Sequence, residues 1–169
     1  MAPPPPSMAP RMTALILRVL TFAFLLASLA ILTTNTSTLE IGDDLLKIRF
    51  KDIYSYRYML ATIVFGIAYT VLQVAFTLHH IVKRNAQTSS DGNPVFDFYG
   101  DKVISYILAT GAAAGFGATK DMKPLLSLTV LGADKFFNKG YASASLLLLG
   151  FVCTAILSVL SSYALPKKV

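Results

Sequence analysis

Four long uncharged stretches divide the chain. Residues 13–32 are interrupted only by Arg18, and residues 58–82, 103–119 and 141–165 contain no Asp, Glu, Lys or Arg. A helix needs about 20 apolar residues to span a bilayer, within a range of about 17 to 25, so each stretch is long enough. The loops between them are too short to form a separate globular domain. The pattern predicts an all-α membrane protein: a four-transmembrane-helix bundle over 13–165, flanked by tails at 1–12 and 166–169. The first stretch is longer than a signal-peptide core, holds an arginine and is followed by three more spans. It therefore reads as a span, although Ser28-Leu29-Ala30 faintly resembles a cleavage site. The tail at 1–12 has five prolines in its first ten residues, a composition that predicts an extended, disordered segment without a core.

A different period appears between the first two spans. Leu46, Ile48 and Phe50 alternate with Lys47, Arg49 and Lys51, and upstream Leu39 and Ile41 alternate with Thr38 and Glu40. Gly42-Asp43-Asp44 between them can turn the chain. Period-two alternation about such a turn fits a small extracellular β-hairpin; a solvated irregular loop fits it as well.

Composition narrows the function classes. The chain is 54% apolar and only 14% charged, with mean hydropathy +0.60. A soluble domain carries about 25% charged residues, so a water-soluble enzyme of this size does not fit. The net charge of +6 does not gather on one face as nucleic-acid binding requires. It falls in short clusters between apolar runs, as in membrane proteins. The single cysteine, Cys153, lies in an apolar run and excludes an intramolecular disulfide. Orientation is less sharply written, because a plain Lys/Arg count does not favour cytosolic termini. Arg11 before the first span does favour them, and so does the sequon Asn35-Thr36-Ser37, which marks Asn35 as a glycosylation candidate in a lumenal loop.

Two charges stand out. Arg18 lies inside the first span, where a lipid-exposed cation costs about 2.5 to 3.5 kcal/mol near the helix centre and somewhat less towards its end. It can snorkel to the headgroups or find a partner. Asp101 lies just before the third span, which crosses in the same direction as the first. The two could meet inside the bundle as a bidentate, register-fixing pair; alternatively Asp101 is a solvated loop residue or an acidic N-cap of the third helix. Small residues form a second signal. Gly111 and Gly115 make a GxxxG step, Ser105, Ala109, Ala113 and Gly117 a parallel row, and Gly150, Thr154, Ser158 and Ser162 a row in the last span. Such rows let helix backbones approach closely, so Gly111, Gly115, Gly150 and Ser158 are expected at packing seams, with one row left for assembly.

Candidate chemistry is sparse. No nucleophile elbow, P-loop or HExxH zinc motif occurs. His79-His80 lacks a third ligand at metal spacing and reads as interfacial. No catalytic residue, cofactor site or metal site is expected. Carriers hold several ionisable groups near mid-membrane, whereas this chain holds one with an evident structural partner. Tyr54, Tyr56 and Arg57 are candidates for a recognition surface.

Several segments, taken in order, resemble one known family. They are Arg18-Val19-Leu20, the run Phe50 to Tyr58, Asp97-Phe98-Tyr99-Gly100-Asp101-Lys102, Ala112 to Gly117 with Thr119-Lys120-Asp121, and Asp134 to Ser145. Together they resemble the plant Casparian strip membrane domain protein-like (CASP-like) family, most closely its subgroup 4, from about Leu17 to Leu165. The resemblance implies a MARVEL-like bundle in the plasma membrane, with both termini cytosolic, and places the family's intramembrane arginine and aspartate on Arg18 and Asp101. It also implies homo- and hetero-oligomers with related four-span proteins and links to wall-modifying proteins. Unlike founding members, this chain has no cysteine in its loops and lacks their short first-loop signature. The expected function is a non-enzymatic membrane scaffold or domain organiser in contact with the lipid bilayer and without nucleic-acid partners. A small channel or transporter is the alternative.

Overall fold

The computed structural model describes residues 9–41, 44–84, 94–127 and 133–163. In chain order they form α1 (Ala9–Thr33), β1 (Thr36–Ile41), β2 (Asp44–Arg49), a short 3-10 turn (Phe50–Asp52), α2 (Tyr54–Arg84), α3 (Pro94–Ser127) and α4 (Ala133–Tyr163). Parts of α1, α2 and α4, namely Met12–Thr33, Tyr54–His79 and Asp134–Tyr163, are long and apolar enough to cross a membrane. The uncharged run of α3 is shorter and built largely from Gly and Ala, which lowers its hydropathy.

Each helix outruns its uncharged stretch. At 1.5 Å per residue, the 25 residues of α1 reach about 37 Å and the 34 of α3 about 51 Å, against a hydrocarbon core of about 30 Å. Three sequence expectations are corrected accordingly. Residues 9–12 of the supposed tail are helical, since Pro10 sits in the first turn, where a missing N–H is harmless. Segments 94–102 and 120–127, expected as loop, extend α3 at both ends, and 133–140 extends α4. The rest of the expected N-terminal tail, the end of the expected last span at 164–165 and the tail at 166–169 lie outside the described residues.

The helices pack as a ring. α1 and α3 each lie against both α2 and α4. Leu25, Met59, Ile63, Leu108 and Leu147 fill the interior without exposure. Ser28 of α1 and Ser143 of α4 each donate to the other's backbone carbonyl at 2.8 Å, which holds these helices close. Large apolar side chains such as Ile16, Phe65, Phe76, Ile156 and Val159 point outward, a surface suited to acyl chains.

β1 and β2 pair antiparallel, from Thr36 opposite Arg49 to Ile41 opposite Asp44. Asn35 ties this hairpin to the bundle. Its backbone carbonyl accepts the Phe50 N–H at 3.2 Å, and its side-chain Nδ2 donates to the Phe136 carbonyl of α4 at 3.0 Å. The Arg49 N–H donates to Asp52 at 2.8 Å, closing the turn that leads into α2.

Candidate functional site

Thr21, Leu25, Ser28 and Leu32 continue the buried face of α1 that begins at Arg18. The Arg18 Nη1 donates to Gln73 Oε1 of α2 at 2.5 Å. Its Nη2 lies 3.5 Å from Asp101 Oδ2 of α3. Asp101 Oδ1 accepts the Tyr69 hydroxyl at 2.7 Å, and Gln73 Nε2 donates to that same hydroxyl at 2.7 Å. Ser161 of α4 adds a long bond to Asp101 Oδ2 at 3.4 Å. Arg18, Gln73, Tyr69 and Asp101 thus form a closed circuit, and all four helices contribute to the cluster.

Local sequence explains the fit. Tyr69 and Gln73 are four apart and share one face of α2. Gly100 leaves room for the tyrosine, since a Cβ there would stand 2.5 Å from its hydroxyl. Burying a charge is costly unless it is paired and hydrogen-bonded, and Arg18 at 6% exposure and Asp101 at 1% are both.

Two alternatives to the expected pair fall away, and the pair itself departs from expectation in one respect. Arg18 is enclosed by helices and does not snorkel. Asp101 is the eighth residue of α3, so it is neither a loop residue nor an N-cap. The guanidinium is shared between an amide and a carboxylate, so the expected bidentate pair does not form. Sequence reading missed Tyr69, Gln73 and Ser161. Gln73 could have been found, being the one amide side chain in the run 58–82.

The small residues divide by position. A Cβ on Gly111 would collide with the Thr62 side chain, and one on Gly115 with Met59, so both glycines admit α2 against α3. Gly150 faces Leu25, whose Cδ2 would stand 3.3 Å from a Cβ. Ser158 and Thr154 are buried on α4. Ala113 and Gly117 face outward, and a Cβ on Gly117 would meet nothing within 4 Å.

Two further expectations change. Asn35 has no exposed surface, and its amide nitrogen, the atom a glycan would need, is bonded to Phe136; this placement leaves no room for glycosylation. Tyr56 belongs to the core and not to a recognition surface, with its hydroxyl 2.8 Å from Thr119 Oγ1 and its ring against Phe136. Tyr54 is 81% exposed, with the Arg57 guanidinium 5.4 Å from its ring centre. His79 is exposed, and among the described residues no three His, Cys, Asp or Glu side chains gather as metal ligands. Cys153 is buried.

A bundle locked by one charged residue on α1 and one on α3, with a hairpin between the first two helices, is the setting for the sequence comparisons. The profile of the Casparian strip membrane protein domain matches residues 7–153. The chain belongs to the CASP-like family. Its relatives place it in subgroup 4. It is 76% identical to CASP-like protein 4D1 of Populus trichocarpa, over 99% of both chains. It is 69% identical to CASP-like protein 4D1 of Ricinus communis over the full length of both, and 50% identical to CASP-like protein 4D2 of Arabidopsis thaliana over 99% of both. No solved structure matches. As a CASP-like chain it is a membrane protein with transmembrane helices. The CASP domain takes in Arg18, Tyr69, Gln73 and Asp101 and ends before Ser161.

Proposed function

We propose that this CASP-like protein is a non-enzymatic scaffold of the plant plasma membrane, with a MARVEL-like bundle and both termini in the cytosol. It self-associates and joins related four-span proteins into domains that organise the membrane and, through partners, the adjoining wall. The observation that carries this reading is the closed polar cluster. The charged groups within the bundle are bound to one another and to neutral side chains of α2 and α4, and the remaining interior is filled by Leu25, Met59, Ile63, Leu108 and Leu147. A body so locked, with an apolar exterior, is suited to lateral packing in lipid. The Arg18–Asp101 pair serves in this reading as the register lock, and Gly111, Gly115, Gly150 and Ser158 as internal seams.

Fluorescently tagged protein in plant cells tests the proposal by photobleaching. Immobile, patterned membrane domains are expected, whereas free diffusion throughout the membrane would overturn it. Ion or solute flux through liposomes holding the purified protein would favour the channel reading instead.

A further inference from the structure

The hairpin end of the bundle gathers more cations than carboxylates among its described side chains. Three buried positions meet there. The Tyr56 hydroxyl lies 2.8 Å from Thr119 Oγ1, and a Cβ on Gly140 would collide with that hydroxyl and stand 3.1 Å from Thr119 Oγ1. Each is followed or preceded by an exposed base: Arg57 after Tyr56, Lys120 after Thr119 and Lys139 before Gly140. Arg57, Lys120 and Lys139 therefore stand at the hairpin end of α2, α3 and α4, each at a similar depth beside its helix's uncharged run. That depth is well defined, because Arg57 and Lys120 directly abut the uncharged runs 58–82 and 103–119, and Lys139 stands one residue before the run that begins at Tyr141.

Among the carboxylates whose side chains are described at this end, Asp134 is 3.8 Å from Lys123, Asp52 accepts the Arg49 N–H and Asp121 stands beside Lys120; they are fewer than the bases. Arg57 lies against the Tyr54 ring, and no described salt bridge involves Arg57, Lys120 or Lys139. Lys51 and Lys135 are also exposed here and add to the positive potential. Like charges at one end of the bundle repel one another, and an anion at the membrane surface relieves that repulsion.

We infer that Arg57, Lys120 and Lys139 form a binding site for the phosphate headgroup of an anionic phospholipid in the adjoining leaflet. Their level at the ends of the uncharged runs matches a headgroup better than a soluble polymer above the membrane. Arg57 supplies a fork for phosphate oxygens and the lysines supply point charges. The site does not depend on which way the chain is oriented, nor on whether it acts as a scaffold.

The full-length protein, purified in detergent and given mixed phosphatidic acid and phosphatidylcholine, provides the test, with bound lipid read by native mass spectrometry. Wild type should retain phosphatidic acid over phosphatidylcholine, and retention should fall as salt rises. Each of Arg57→Ala, Lys120→Ala and Lys139→Ala should weaken retention roughly fivefold, while Lys102→Ala at the opposite end should leave it unchanged. Equal retention of both lipids by wild type would overturn the inference even if a variant misfolds. It would also be overturned if folded single variants held phosphatidic acid as well as wild type. A third overturning result is soluble polygalacturonate displacing the lipid at equal charge concentration, which would assign the cluster to a polyanion outside the membrane.

Discussion

At the scale of single residues, the polar cluster contains one cation, one anion and three neutral partners with unequal roles. Removing one member of a buried pair leaves the other charge uncompensated, at about 3 to 5 kcal/mol. Arg18→Leu and Asp101→Asn should therefore each destabilise strongly. The double variant should lose less than the sum, because the two changes remove a shared interaction. Gln73→Leu should cost less, about 1 to 3 kcal/mol, by stripping one buried guanidinium nitrogen of its acceptor. Arg18→Lys should behave more like Arg18→Leu than like wild type, since an ammonium lacks the fork that reaches Gln73 and Asp101 together. Unfolding of reconstituted protein by denaturant would rank the variants, and a Gln73→Leu protein as unstable as Arg18→Leu would contradict the ranking. Arg18 and Asp101 were legible in the sequence because a charge beside or within an apolar run is conspicuous. Tyr69 and Ser161 were not, because a hydroxyl in such a run looks the same whether it faces lipid or a carboxylate.

Between elements, the same substitution should give opposite results on two sides of α3. Gly111→Ala drives a methyl group into Thr62 and should destabilise by about 1 to 3 kcal/mol. Gly117→Ala adds a methyl where nothing lies within 4 Å, and should be neutral or slightly stabilising through helix propensity. Thermal unfolding of the two variants side by side measures the contrast, and equal losses would mean that α2 does not press on α3 at Gly111. Asn35 belongs to this scale too. Its amide joins hairpin to helix, so glycosidase treatment of protein from plant cells should not change its gel mobility. Asn35→Ala should cost about 0.5 to 1.5 kcal/mol by removing the side-chain hydrogen bond that ties the hairpin to the Phe136 carbonyl. The sequon was readable as three letters, but its burial was not, because only the docking of α4 covers it. Likewise the GxxxG step marked a close approach without naming the neighbour. Helix ends were misjudged for a related reason: the uncharged runs marked where lipid begins and ends, whereas the helices continue for as long as they have one another to pack against.

For the molecule as a whole, the four helices and the membrane class followed from hydropathy, although only three of the helices are apolar enough throughout to count as spans. The ring order of the helices did not, because each pairing depends on which narrow face is polar or small. That order leaves α1 closed between α2 and α4, with its cation turned inward. Arg18 and Asp101 are 83 residues apart, and Ser161 comes later still. At a synthesis rate of about 5 to 20 residues per second, the arginine emerges from the ribosome roughly 4 to 17 seconds before its counter-ion exists. During that interval the young chain holds a stranded cation at the translocon, and any product truncated before α3 keeps it permanently. The same guanidinium that fastens the finished bundle is therefore a built-in mark of an unfinished one, legible to whatever machinery in the membrane surveys nascent helices for exposed charge.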